Sequence, residues 1–467
     1  MRGIAIFTAA LLLCLLLPQR TLHGVDGNTF VVWIESHDLG NYARHAAYLH
    51  LCGLVYGVIE PFGGGGYLAL RVASALGTAL GLVFLHRAFH EMMPSHARTP
   101  LAATIAVFVT PACFYYATSA EIPGVFFAGA GACWWAFARW LQRPTALRAA
   151  AIGVAAAIAG AIHSFGHLIS PSLLLTALLL RRLPQSGRTR HGAAMLATHA
   201  AIALLLSLLL ASGAGSQTAD AVGHLEERWQ TFAPFTAPTV LWREWILAYL
   251  PWSIGTFLAL CAANSRPWAL AALAMLALHL PLNVLLLGFH DINERGAYLI
   301  ALAPAAVLAT AWFVTARGFR LAIVASAVLT VLAVSPGWYD PVPPDFGAGI
   351  EQLNGEQRIA LVVSTQAEMD GARTAVRGLM AIDLRMVIGA YVDRTDSALS
   401  FAQWFDGWHD TLMRGGMVPV LSASSAEFFA TVDDLQLRAF WRDHVPQRYE
   451  SREVRRLGFS GVMLTRR

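Results

Sequence analysis

Long runs without a charged residue recur through the first two thirds of the chain. Residues 101–111 and 149–162 are two examples, and short breaks that carry arginine separate such runs. Charged residues make up 13% of the 467 residues, and the mean hydropathy is +0.53. Soluble domains carry about 25% charged residues, whereas a membrane-spanning helix needs about 20 apolar ones. The pattern therefore predicts a polytopic α-helical membrane protein.

The apolar segments that we interpret as spans have similar lengths and flanks. They are residues 4–17, 67–85, 101–117, 122–140, 150–162, 168–180, 194–211, 245–261, 267–287, 297–313 and 321–334. Several are short, so we expect their flanks or a tilt to complete the crossing. No small-residue cleavage signal follows the first segment, which is therefore read as an uncleaved span. We predict about eleven transmembrane helices.

The distribution of arginine predicts the orientation in the membrane. With Met1 in the cytoplasm, twelve arginines fall in the inner loops and five in the outer loops. Positive residues favour the cytoplasmic side. The N-terminus is then cytoplasmic, and a long first outer loop (residues 19–66) and the C-terminal region lie outside, in the periplasm of a bacterial inner membrane. The net charge of +4 is small, which argues against nucleic acid as a partner.

After residue 336 the composition changes, because charged residues become common and strand patterns alternate with helical ones. We predict strands at 359–364, 384–392 and 417–422, and helices at 368–380, 401–414 and 425–441. This order predicts a three-layer α/β domain with a parallel sheet. The predicted organisation is a transmembrane domain of residues 1–335 followed by an extracytoplasmic, periplasmic α/β domain of residues 336–467.

Ionisable residues collect at the outer ends of the predicted spans. They are Glu35, His37, Asp38, Glu121, His163, His167, His290, Asp291, Glu294 and Arg295. Charged groups beside lipid are costly unless they are paired or functional. Carboxylates suit proton abstraction and arginine suits phosphate binding, so this face is the candidate active site. Trp242, Trp245 and Trp252, where the chain re-enters the membrane, are expected to anchor it at the interface.

Four segments, in this order along the chain, resemble motifs of the GT-C glycosyltransferases. Residues 37–45, HDLGNYARH, are similar to the acidic motif of the first loop, and residues 110–121, TPACFYYATSAE, to a third span that ends in a second acid. Residues 161–167, AIHSFGH, resemble the family's histidine-bearing helix junction. The sequence Asn293-Glu-Arg295 before Tyr298 is similar to a segment that opens a late span.

The resemblance implies both a fold and an activity. GT-C enzymes, such as the protein O-mannosyltransferases and the lipid A aminoarabinose transferases, use polyprenyl-phosphate sugars. The expected protein is a membrane glycosyltransferase that moves a sugar from a polyprenyl-phosphate donor to a lipid, glycan or protein acceptor on the periplasmic face. The cofactor is left open, with a divalent cation as one option.

The resemblance also implies roles for individual residues. Asp38 is the expected catalytic base, and Glu35 is the alternative because His37 stands where many members carry a second, adjacent acid. Arg295 and His163 are expected to hold the donor phosphate. Glu121 and Asp291 are the remaining candidates for substrate binding.

Each of these residues also has a simpler structural explanation. Asp38 could cap a helix, Glu35 could be a solvated loop charge, and Glu121 could favour the positive end of the helix that follows it. Arg295 could form a local salt bridge to Asp291. His167 could be a satisfied interfacial histidine. A further functional reading is a metal site shared by His163 and His167, which are four residues apart, but no matching carboxylate lies nearby in sequence.

Two other functions remain open at this point. A transporter or flippase for a lipid-linked or anionic solute predicts ionisable residues within the spans and two related halves. This sequence has its ionisable residues at the outer ends and shows no repeat. A non-catalytic envelope assembly protein could keep the same fold without the chemistry.

Overall fold

The computed structural model divides the chain into two compact units. It describes residues 2–19, 24–37, 39, 45–93, 100–180, 187–210, 234–287, 294–338, 342, 344–376, 379–384, 387–388, 391 and 400–467. The larger unit contains Met1–Gln19, His37–Gly64 and Leu68–Pro336, and the smaller contains Arg20–Ser36, Gly65–Tyr67 and Gly337–Arg467. Two predicted site residues, Asp38 and Asp291, lie outside the described residues.

The larger unit consists mainly of apolar helices. The helices are Ala46–Ile59, Pro100–Phe108, Pro111–Thr118, Ile122–Gln142, Ala146–Ile162, Ile169–Leu179, Arg188–Leu210, Ala237–Val240, Trp252–Leu258, Arg266–Leu287, Ala303–Phe313 and Ala316–Val334, together with Arg2–Leu16 at the start and Gly66–Met92. The segments Glu60–Phe62, Ser164–Leu168, Pro234–Thr236, Ala259–Cys261, Ala297–Leu302 and Ser335–Trp338 are 3-10 turns, and Leu241–Leu247 is π-helical. All eleven apolar segments predicted as spans coincide with helical structure.

Two of those segments are bent rather than straight. Pro100–Phe108 and Pro111–Thr118 meet at 70°, and Pro234–Leu247 and Trp252–Cys261 meet at 105°. A proline at or just before each second arm explains the breaks, because proline lacks a backbone N–H and restricts the preceding residue. Within the described ranges, four helices are long and apolar enough to cross a membrane, or six if each bent pair is one span. The total of about eleven transmembrane helices therefore remains a prediction.

Close packing of backbones holds the centre of the larger unit together. A Cβ atom added at Gly131 would lie 2.5 Å from the carbonyl oxygen of Gly81. Only glycine allows the helices Gly66–Met92 and Ile122–Gln142 to approach this closely, as is common between membrane helices.

The expectation that three tryptophans anchor the chain at the membrane interface was wrong for two of them. Trp245 and Trp252 are fully buried, and Trp252 Nε1 donates to the hydroxyl of Ser326 at 3.2 Å. Because the segment that carries them bends sharply, these side chains pack among helices. Trp242 alone of the three is exposed.

The smaller unit is built on a five-stranded sheet. Its strands are β1 (Ile359–Val363), β2 (Met380–Asp383), β3 (Val418–Ser422), β4 (Tyr449–Arg456) and β5 (Phe459–Arg466), in the order β2-β1-β3-β5-β4. Its helices are Gly24–Glu35, Pro344–Glu356, Gln366–Ala375, Phe401–Arg414, Ala423–Thr431, Leu435–Ala439 and Val445–Arg448, with a π-helical turn at Phe440–His444. Strand β1 runs parallel to β2 and β3, whereas β5 is antiparallel to both β3 and β4.

The sheet is therefore mixed, and the all-parallel prediction was wrong at its edge. The hairpin of β4 and β5 escaped notice because β4 exposes most of its charged side chains. The strand predicted at 384–392 was also misplaced, since β2 occupies residues 380–383. Arg373 fixes this position by donating to the carbonyls of Leu379 and Ala381, at 2.6 Å each. The helix Gly24–Glu35, expected to be part of a loop, packs against the helix Gln366–Ala375 of the same unit.

The smaller unit has its own hydrophobic core. Two clusters contain most of the buried apolar side chains of its C-terminal part, and every member of both lies between Val342 and Leu464. We expect residues 337–467, expressed without the rest of the chain, to be soluble and to melt cooperatively, without transferase activity. Circular dichroism as a function of temperature measures this. A gradual melt would show that the core depends on the preceding segments.

An interior carboxylate makes that unit sensitive to acid. Asp406 accepts hydrogen bonds from Tyr449 (2.5 Å) and His444 (2.9 Å). Burial opposes its ionisation, but these bonds outweigh burial and hold the pKa of Asp406 below its ordinary value. The ionised Asp406 therefore stabilises the fold fully above the pKa that this carboxyl has in the unfolded chain, about 4. The stabilisation is lost as the pH falls through the lower pKa of Asp406 in the folded state.

Removal of one of these bonds tests that account. Tyr449→Phe keeps the buried ring and loses the hydroxyl, so the free energy of unfolding at pH 7 should fall by about 1–3 kcal/mol. The difference from wild type should shrink below pH 4. Asp443→Asn, in an exposed pair with Arg442, is the matched control and should change the stability much less. Equal denaturation midpoints for Tyr449→Phe and wild type would contradict the role of Asp406.

Candidate functional site

Arg295 lies in a turn with an uncommon backbone conformation. Its φ angle is +47°, and that of the next residue, Gly296, is +81°. The left-handed region suits glycine but is costly for a residue with a Cβ atom. Such a turn persists only where its surroundings hold it, and here they do so through four hydrogen bonds.

Glu244 supplies two of these hydrogen bonds. Its side chain is fully buried, with Oε1 accepting from the N–H of Glu294 at 3.0 Å and Oε2 from the N–H of Gly296 at 2.7 Å. A buried carboxylate is stable only with such donors. Sequence reasoning missed Glu244, although it is the only acidic residue between positions 237 and 287, and that isolation in an apolar stretch was the available signal.

Two tyrosines bind the carbonyls of the same turn. The hydroxyl of Tyr116 donates to the carbonyl of Glu294 at 2.5 Å, and that of Tyr249 donates to Gly296 at 2.6 Å. The ring of Tyr115 lies 4.4 Å from the guanidinium carbon of Arg295, in cation–π geometry. Two stretches of chain that are distant in sequence, residues 115–116 and 244–249, thus position one arginine.

A cavity of about 250 Å³ opens beside this turn. Tyr115, Arg243 and Arg295 provide its polar lining. The rest of the wall is apolar and consists of Pro111, Ala112, Leu247, Ala248, Ala333 and Val334. Two guanidinium groups next to an apolar wall suit a ligand with an anionic head and an apolar chain, because arginine binds phosphate oxygens through two parallel hydrogen bonds.

His163, predicted to contact the donor phosphate, lies in an aromatic cluster. It is 2% exposed, and its ring centre is 4.7 Å from that of His45 and 5.2 Å from those of Phe126 and Tyr298. Its Nδ1 accepts from the N–H of Phe165 at 3.2 Å. His163 does not line the cavity beside Arg295, although Tyr298 links it to the segment that follows the turn.

His167, considered above as a metal ligand together with His163, makes separate contacts. His167 Nδ1 lies 2.9 Å from His199 Nε2, and the second ring nitrogen of His199 is 2.8 Å from Ser170 Oγ. His163 and His167 therefore do not face a common ion. Among the residues whose placement is described, no three or more His, Cys, Asp or Glu side chains form a group that could hold a metal.

The two described acidic candidates lie at or bind the starts of helices. Glu121 is the N-cap of Ile122–Gln142 but makes no side-chain capping hydrogen bond; it is 6% exposed and interacts electrostatically with Tyr116. Glu35 accepts from the N–H of Gly66 at 2.8 Å, where the helix Gly66–Met92 begins. Their roles in catalysis and binding stay predictions, as do those of Asp38 and Asp291.

Known structures share this fold. One is ArnT from Cupriavidus metallidurans, bound to undecaprenyl phosphate. The alignment covers 99% of this chain and 97% of the ArnT chain, with a TM-score of 0.55 and 16% sequence identity. The mycobacterial arabinofuranosyltransferase AftD matches 91% of this chain, with a TM-score of 0.53 and 14% identity, and this chain spans 35% of its length. No protein-family model and no curated protein sequence matches the chain.

Both neighbours are membrane glycosyltransferases of the GT-C fold. The chain therefore has the GT-C fold, which confirms the resemblance drawn from its motifs. Together with the apolar helices, this fold makes it an integral membrane protein. At 14% and 16% identity, the likeness concerns the fold alone.

A single methyl group tests whether the turn is as constrained as its contacts indicate. A Cβ atom at Gly296 would lie 2.7 Å from the Cβ atom of Ala248 and 3.0 Å from the carbonyl oxygen of Glu244. Gly296→Ala should therefore lower the free energy of unfolding by at least about 1–2 kcal/mol. The thermal melting temperature in detergent measures the change.

Gly57→Ala is the matched control. Gly57 is exposed in the helix Ala46–Ile59, and an added Cβ atom would have no neighbour within 4 Å. This substitution should be neutral or stabilise by about 0.5–1 kcal/mol. If both alanine variants melt at the same temperature, the turn is not constrained.

Proposed function

We propose that this protein transfers a sugar from a polyprenyl-phosphate donor to an acceptor on the periplasmic face of a bacterial inner membrane. The observation that carries the proposal is the cavity lined by Arg243 and Arg295 next to a fixed turn. It occurs in a chain with the GT-C fold, and one structural neighbour was determined with undecaprenyl phosphate bound. The orientation follows the arginine bias, with the N-terminus in the cytoplasm and the C-terminal domain in the periplasm.

The two arginines act on the leaving group. As the acceptor oxygen attacks the anomeric carbon, the bond from that carbon to the phosphate oxygen breaks and its electron pair stays on the phosphate. Fixed positive charge stabilises this developing negative charge without reorganisation, which is often the largest contribution to catalysis. The apolar wall of the cavity receives the first part of the prenyl chain.

The acceptor proton goes to an acidic residue of the first loop. Asp38 is the proposed base, and Glu35 is the alternative. Glu121, His163 and Asp291 are proposed to shape the substrate site. Whether a divalent cation takes part is a separate question, which turnover with and without a chelator answers.

Turnover of a polyprenyl-phosphate sugar by purified variants in detergent tests the proposal. Asp38→Asn keeps the capping ability of the side chain but loses its proton affinity, so the rate should fall about 10²–10⁴-fold. Arg295→Lys keeps the charge and loses the planar fork, so KM for the donor should rise while activity remains measurable. Arg317→Lys, an exposed arginine on Ala316–Val334, is the control and should behave as wild type.

The other outcomes are informative. Full activity in Asp38→Asn with an inactive Glu35→Gln would transfer the role of base to Glu35, and full activity in both would exclude the first loop from the mechanism. Donor binding without turnover by the wild-type protein would contradict sugar transfer. It would favour a transporter or an assembly protein instead.

A further inference from the structure

A second, larger cavity lies away from the proposed active site. It is a groove of about 730 Å³ between the helices Arg2–Leu16, Gly66–Met92 and Pro100–Phe108. One face of the first helix forms a wall, through residues 2, 5, 6, 9, 10 and 13, which recur at helical spacing. Most of the surface is apolar, and alanines at positions 5, 9 and 10 leave the space open.

The polar residues of the groove gather at one end. Arg2, His86 and His90 line it there, beside Pro100, where the third helix begins. His86 is 9% exposed, and its Nδ1 atom makes no hydrogen bond within the described part of the chain, while its ring interacts with the carbonyl of Pro100. When the ring of His86 is protonated, its unused nitrogen becomes a donor, and this N–H, an arginine and the positive end of a helix together favour an anionic group at this position.

The length of the groove matches one leaflet of a bilayer. From Arg2 to Leu13 the helix rises about 17 Å at 1.5 Å per residue. The hydrocarbon core of a bilayer is about 30 Å thick, so one leaflet contributes about 15 Å. An acyl chain whose headgroup lies at the cationic end would therefore contact the apolar wall of the groove through the full thickness of one leaflet.

We propose that this groove binds an anionic phospholipid, with one acyl chain along its alanine-lined wall and the phosphate at Arg2, His86 and His90. The groove and the cavity at Arg295 share no lining residue, although both reach the helix Pro111–Thr118, the groove through Phe114 and the cavity through Pro111, Ala112 and Tyr115. The proposal does not depend on sugar transfer. The lipid seals the gap between three helices and fixes the first of them.

Native mass spectrometry tests the proposal on the full-length protein. The protein in detergent is mixed with equal amounts of phosphatidylglycerol and phosphatidylcholine that have identical acyl chains. We expect one phosphatidylglycerol to be retained in preference. Arg2→Gln should reduce its retention about fivefold, the factor expected for one arginine near an anionic headgroup.

A second part of the experiment fills the groove with a large side chain. Ala9 lies in the groove and is exposed, so Ala9→Trp should fill the space and reduce retention at least as strongly as Arg2→Gln. Leu12→Trp, on an exposed part of the same helix outside the groove, is the matched control and should retain lipid as wild type does. Lipid-free melting temperatures of the variants confirm that each one folds.

Three results would overturn the proposal. Equal retention of the two phospholipids would exclude recognition of the anionic head. Unchanged retention by Ala9→Trp would exclude the groove as the location. Displacement of phosphatidylglycerol by an equimolar polyprenyl phosphate would assign the groove to the donor lipid instead.

Discussion

The buried carboxylate of Glu244 is the interaction on which the candidate site depends. It accepts hydrogen bonds from the backbone N–H groups on both sides of Arg295, and two tyrosine hydroxyls bind the carbonyls of the same turn. In an apolar bundle an unsatisfied carboxylate would be costly, so the acid and the turn stabilise each other. The result is a fixed arginine at the edge of a cavity, which is what stabilisation of a leaving phosphate requires.

The same segment contributes the second cation of the cavity. Arg243 precedes Glu244 in the π-helical segment Leu241–Leu247, and its side chain lines the cavity together with Arg295. The bend of 105° after this segment separates it from the helix that follows. This bent apolar segment thus provides a wall of the candidate site, which a straight helix would not do.

Local signals made part of this architecture predictable. The helix Phe401–Arg414 was predicted at its observed bounds, and in the structure Ser400 and Gln403 form a capping box at its start. Apolar runs located the apolar helices, and the resemblance to GT-C motifs marked Arg295 as a candidate site residue. Strand β2 was missed because a tertiary contact of Arg373 defines its position. The isolation of Glu244 in an apolar stretch was visible in the sequence, but its hydrogen-bond partners in the distant turn at Gly296 were not.

The position of a bound phosphate tests the central claim most directly. Electron cryo-microscopy of the protein in lipid nanodiscs, with an added polyprenyl phosphate, would locate that group. We predict phosphate density within hydrogen-bonding distance of the guanidinium groups of both Arg243 and Arg295, and loss of that density in Arg295→Gln. Phosphate density elsewhere in the bundle, with the cavity at Arg295 unoccupied, would contradict the account.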